Sequence, residues 1–160
     1  MNKRNPFSVF FYVSIIFSLV FACIPGVMAR PAKQSLNQNL NVDQKINARD
    51  SDRKIKEAYE KGFSDFWVQS QGEVIKVMKD DTDGARHQRF LLRLSNGHTI
   101  MIAHNIDLAT RIEDLKAGDI VAFYGEYKWN NKGGVVHWTH RDPSGRKISG
   151  WLLHNGKKYQ

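Results

Sequence analysis

The sequence predicts a mainly β fold: a small antiparallel barrel preceded by one amphipathic helix. Three observations carry that expectation. After Phe66 the apolar period shortens from 3.6 to 2, short strands separated by turn residues then run to the end, and Asn96-Gly97 is a strong hairpin signal between two of them.

The 160-residue chain begins with a segment that does not read as part of this fold. Lys3 and Arg4 precede eighteen uncharged residues, Phe7 to Ile24, and Val27-Met28-Ala29 supplies small residues for a signal peptidase. That is a secretory leader over 1–29 with cleavage expected after Ala29, which places the mature protein in the periplasm or outside the cell. Two alternatives stay open. The apolar run approaches a membrane span in length, and Val20-Phe21-Ala22-Cys23 partly matches a lipoprotein acylation site at Cys23. Cleavage at Ala29 removes Cys23, the single cysteine, so thiol chemistry is excluded from the mature chain, which then has no stable membrane insertion.

Residues 30–49 are polar and rich in Asn and Gln, and read as a flexible lead-in. The globular domain is expected over 50–160. Asp50-Ser51-Asp52 suits a helix start, and Ile55, Tyr59 and Phe63 form one apolar stripe with Ala58 and Gly62 beside it. Asp52–Lys56 and Glu57–Lys61 are spaced as i,i+4 ion pairs, so a helix over about 51–63 is predicted. Strands follow at 72–78, 88–95, 99–104, 120–129, 135–140, 150–154 and 157–159. A short helix or an irregular crossover is expected over 107–115. Asp142-Pro143-Ser144-Gly145 fits a type I turn position by position. Three strands, a crossover and further strands are the order of the oligonucleotide/oligosaccharide-binding (OB) barrel. An open antiparallel sheet packed on the helix is the alternative.

Charge is distributed unevenly. Residues 30–83 carry ten basic and ten acidic residues, whereas 84–160 carry twelve against six, together with all six histidines. Within 126–160 the ratio is seven to two. In this stretch Lys128, Trp129, Lys132, Arg141, Arg146, Lys147, Lys157 and Lys158 interleave cations with flat rings. Cations track phosphates or acidic sugars and rings stack on bases or pyranoses, so these residues are the candidate polyanion-binding set. Trp138 and Trp151 are expected in the core, because large aromatics are mostly buried, and Trp129 is the ring expected to be exposed.

A second candidate site is His137, His140 and Asp142, whose imidazoles and carboxylate are the donor types that hold zinc and activate water. In a regular strand His137 and His140 point to opposite faces, so a bulge or an early strand end is required to bring them together. No Gly-x-Ser-x-Gly elbow, His-Glu-x-x-His run or phosphate-cradling glycine loop occurs, and the acidic 80–83 loop lacks EF-hand spacing. The residues therefore call for no cofactor.

Gly134-Val135-Val136-His137-Trp138-Thr139-His140-Arg141-Asp142-Pro143, followed by Gly150-Trp151, Gly156 and Tyr159, resembles a family of short exported bacterial proteins, the domain of unknown function 3465. The similarity extends over roughly 54–160. It implies an exported globular domain and brings no activity, substrate or catalytic residue. The function expected is a non-enzymatic binding module for an acidic polymer, single-stranded nucleic acid or an anionic envelope glycan. The alternatives are a metal-dependent hydrolase or nuclease at His137, His140 and Asp142, and an envelope protein-interaction domain.

Overall fold

The structure, a computed structural model, describes residues 32–160, with side chains from Asn47 onward. The leader and the Cys23 site lie outside the described residues. One helix, α1 (Ala32–Lys61), precedes seven strands: β1 (Phe66–Val77), β2 (His87–Arg93), β3 (Thr99–Asn105), β4 (Ile120–Lys128), β5 (Val135–His137), β6 (Trp151–His154) and β7 (Lys157–Tyr159). Among these residues no helix is long and apolar enough to cross a membrane.

Helix α1 corrects the sequence expectation at both ends. It takes in the stretch read as a flexible lead-in, and Asp50 is an interior residue rather than a cap. No glycine or proline interrupts 32–61, so nothing in the backbone stops the helix from extending toward Pro31. At the other end Gly62 takes φ +73°, and the Phe63 N–H donates to Ala58 O at 2.8 Å while the Gly62 N–H donates to Tyr59 O at 3.3 Å. These are the two bonds of a Schellman cap, which leaves Phe63 outside the helix and exposed instead of in the apolar stripe. The expected Asp52–Lys56 pair is also absent. Arg53 pairs instead with Asp50 at 3.1 Å and Glu57 at 3.9 Å, and Asp52 turns inward.

The strands close into a five-stranded barrel of the OB kind, in the order β1-β2-β3-β5-β4, with β4 returning to β1. Strand β1 begins six residues earlier than expected, because Gln69 and Gln71 face out while Val68, Ser70 and Gly72 face in, a pattern with little apolar contrast. Its first part pairs with β4 and its last part with β2. The two pairings overlap at Glu73, and a bulge between Val74 and Lys76 lies within the part paired with β2. Strand β3 pairs in parallel with β5, and β6 and β7 extend the sheet beyond β4.

The β2–β3 hairpin follows the predicted alternation, burying Phe90, Leu92, Leu94, Ile100 and Ile102. Its turn differs from the two-residue type that Asn-Gly favours. Only Gly97 has positive φ, with the Gly97 N–H bonded to Leu94 O and the Leu94 N–H to His98 O. That is a type I turn with a glycine bulge. The β3–β4 crossover takes the irregular alternative. Ile112 and Leu115 are buried, and the buried Gln88 amide donates to Ile112 O at 2.8 Å and accepts from its N–H at 2.9 Å. The apolar face of α1, Ile55 and Ala58, joins this core.

Candidate functional site

The stretch between β5 and β6 is built around Asp142. Its carbonyl closes the predicted type I turn by accepting from the Gly145 N–H at 3.0 Å. One carboxylate oxygen accepts from the Ser144 hydroxyl at 2.7 Å and from the N–H groups of Arg146 and Lys147 at 2.8 and 2.7 Å; the other accepts from the Ser144 N–H at 3.3 Å. These donors, the Ser144 hydroxyl first, hold the Asp142 carboxyl down to about 2. With the backbone fixed from inside, Arg141, Arg146 and Lys147 are left exposed. Among the described residues none of the three has a carboxylate within ion-pair distance. The Lys147 ammonium lies 4.9 Å from the Trp138 ring centroid.

Trp138 is not a core residue. Strand β5 ends at His137, and Trp138 takes φ +53°, which breaks the alternation and turns its ring outward. Its indole N–H donates to Ile148 O at 3.0 Å, and its ring lies 5.0 Å from that of His140. Trp151 likewise leaves the expected core. In β6, Leu152 and His154 face inward, so Trp151 and Leu153 face out by simple alternation.

Trp151 belongs to a row that the sequence reading did not single out. Its ring centroid lies 6.3 Å from Tyr124 of β4, which lies 5.1 Å from Trp67 of β1. Lys158 of β7 sits 5.5 Å from the Trp151 ring, and Lys157 lies 4.9 Å from that of Tyr159. The half-exposed row Trp67–Tyr124–Trp151 therefore crosses three strands with a cation at one end. Alternation within β1 and β4 marks Trp67 and Tyr124 as outward. Only the pairing of β4 with both β1 and β6 brings the rings together.

The remaining members of the polyanion set lie elsewhere. Lys128 is neutralised, since its ammonium pairs with Asp65 and lies 3.7 Å from Glu126. Trp129 and Lys132 are in the β4–β5 turn beside the C-terminal end of α1. Trp129 is exposed, as expected, but its indole N–H is committed to Tyr59 O at 2.9 Å.

The metal alternative loses its geometry. His137 lies 3.1 Å from Glu126, off hydrogen-bond alignment, and burial first of all lowers its pKa, against the opposing pull of Glu126. The buried His140 places Nδ1 2.8 Å from Arg141 O, and Asp142 is saturated by its own loop. Among the described residues no three His, Cys, Asp or Glu side chains are grouped as a metal ion requires. The other buried imidazoles are also engaged. His154 bonds Asp119 at 3.0 Å, and His104 bonds the Thr139 hydroxyl at 2.8 Å and the Thr110 carbonyl at 3.2 Å. A carbonyl only accepts, so His104 Nε2 carries the proton and Nδ1 accepts from Thr139.

Residues 39–160 match the family described as protein of unknown function (DUF3465), and the chain belongs to that family. No curated protein matches it.

Proposed function

We propose that this member of the DUF3465 family is an exported, non-enzymatic binding module for an acidic polymer, single-stranded nucleic acid or an anionic envelope glycan. One observation carries the reading: exposed cations without carboxylate partners among the described residues stand over half-exposed rings, Lys147 over Trp138 and Lys158 over Trp151. A cation beside a flat ring offers a charge to a phosphate, sulfate or uronate and a stacking face to the base or sugar that carries it. Arg141 and Arg146 add charge along the same loop. The engagement of His104, His140, His154 and Asp142 in local hydrogen bonds favours binding over catalysis.

The electrostatic share of the affinity makes binding salt-dependent. The test is a titration of the mature chain with a fluorescent dT12 oligonucleotide, and with a heparin fragment, across a salt series. Arg146→Ala with Lys147→Ala lowers the slope of log affinity against log salt for the oligonucleotide by about 1.4, roughly 0.7 for each phosphate no longer neutralised. Affinity for both polymers that stays flat from low to high salt overturns the proposal.

A further inference from the structure

We infer that the cleft between α1 and the outer face of the sheet is a saccharide-binding site, so that the polymer this module holds is a glycan. The inference rests on the binding reading above and chooses between its two polymers.

The cleft has a volume of about 980 Å³, within the range of small-molecule sites. Its sheet side presents Gln69 and Gln71 of β1 beside Trp151 of β6, and Trp151 continues into the row of Tyr124 and Trp67. A pyranose has an apolar C–H face and a rim of hydroxyls. The electron-rich face of an indole or phenol attracts the first, and a side-chain amide, which both donates and accepts, matches the second. Gln69 and Gln71 are exposed and make no side-chain hydrogen bond among the described residues, so their amides are available.

The helix side distinguishes a sugar from a nucleic acid. It contributes Asp50 and Glu57 against Arg53 and Lys54, two charges of each sign. Arg53 is bridged to both acids, and Lys54 rests 4.6 Å from the Phe66 ring. A wall so balanced gives a phosphate backbone no net attraction, and its carboxylates accept readily from hydroxyls. Lys158, over the Trp151 ring at the edge of the row, is placed to meet an acidic substituent on a sugar stacked there.

The experiment compares three probes on the mature chain: chitohexaose, a heparin hexasaccharide and dT12. At least one hexasaccharide shifts the indole N–H resonance of Trp151 and the side-chain amide resonances of Gln69 and Gln71. Gln69→Ala with Gln71→Ala, both exposed positions, weakens that saccharide about tenfold while changing dT12 by less than about twofold. Trp151→Ala weakens the saccharide further. Resonances unmoved by both hexasaccharides, or a double variant that binds as the parent does, overturns the inference. A parent chain that binds dT12 alone does so too, while leaving acidic-polymer binding intact. Failure to bind either heparin or dT12 at low salt defeats the underlying reading instead.

Discussion

Asp52 and Ser70, eighteen residues apart, meet at 2.5 Å where α1 packs on the barrel, and the second oxygen of the same carboxylate accepts from the Ser95 N–H at 2.9 Å and hydroxyl at 2.6 Å. The Asn96 amide closes the junction by donating to Asp52 O at 2.8 Å. One buried side chain thus ties the helix to β1 and to the β2–β3 turn. Asp52→Ala removes the acceptor of the part-buried Ser95 N–H and hydroxyl and leaves the buried Ser70 hydroxyl only a long contact of 3.4 Å to Ala48 O. It is expected to cost roughly 3 kcal/mol in chemical denaturation, with faster amide exchange through residues 50–61. A loss below about 0.5 kcal/mol contradicts this role for the carboxylate.

His104 makes stability depend on pH. Burial, the largest influence, lowers its pKa from 6.5 to about 4. The unfolded chain takes up a proton near 6.5, and the folded protein resists uptake until about 4. The contribution is therefore fully present above pH 6.5 and is lost as pH falls toward 4. It is worth on the order of 3 kcal/mol. Urea unfolding from pH 7.5 to 4 should show this decline, and His104→Gln should flatten it. An unchanged slope in the variant assigns the proton uptake to another group.

Gly134 and Gly97 both have positive φ but differ in their surroundings. A Cβ at Gly134 would enter the ring of the fully buried Tyr127, whereas one at Gly97 meets nothing within 4 Å. Gly97→Ala is expected to cost about 1–2 kcal/mol from the left-handed backbone alone. Gly134→Ala adds overpacking and reaches roughly 3 kcal/mol or more. Equal losses in thermal or urea unfolding contradict the packing argument.

Asp142 sets the conformation of the cationic loop, so Asp142→Ala should expose Arg146 and Lys147 to trypsin at least about tenfold faster than in the parent. Because the carboxyl is lowered to about 2, its hold on the loop is complete above the usual carboxylate value and is lost as pH falls through 2. The amide resonances of Ser144, Arg146 and Lys147 should titrate together there. A midpoint near 4 contradicts the bonding described.

Local chemistry made much of the fold legible. Alternation in 88–94 identified its inward face, and Asp142-Pro143-Ser144-Gly145 supplied its turn in the expected place. The start of α1 was not legible. Residues 30–49 have a composition that suits solvation, yet no breaker separates 32–49 from the rest of the helix. Trp138 and Trp151 were misplaced because large rings are usually buried, whereas strand alternation and a left-handed turn residue place these two outside.

By itself the sequence determined the mainly β barrel, its hairpins, the basic C-terminal third and the family, because periodicity, turn residues and composition are properties of neighbouring positions. Only tertiary structure decided which cations remain unpaired, that His137, His140 and Asp142 have separate partners, and that Trp67, Tyr124 and Trp151 form one row. Those relationships depend on the register between strands distant in the chain, where a shift of one residue sends every side chain to the opposite face.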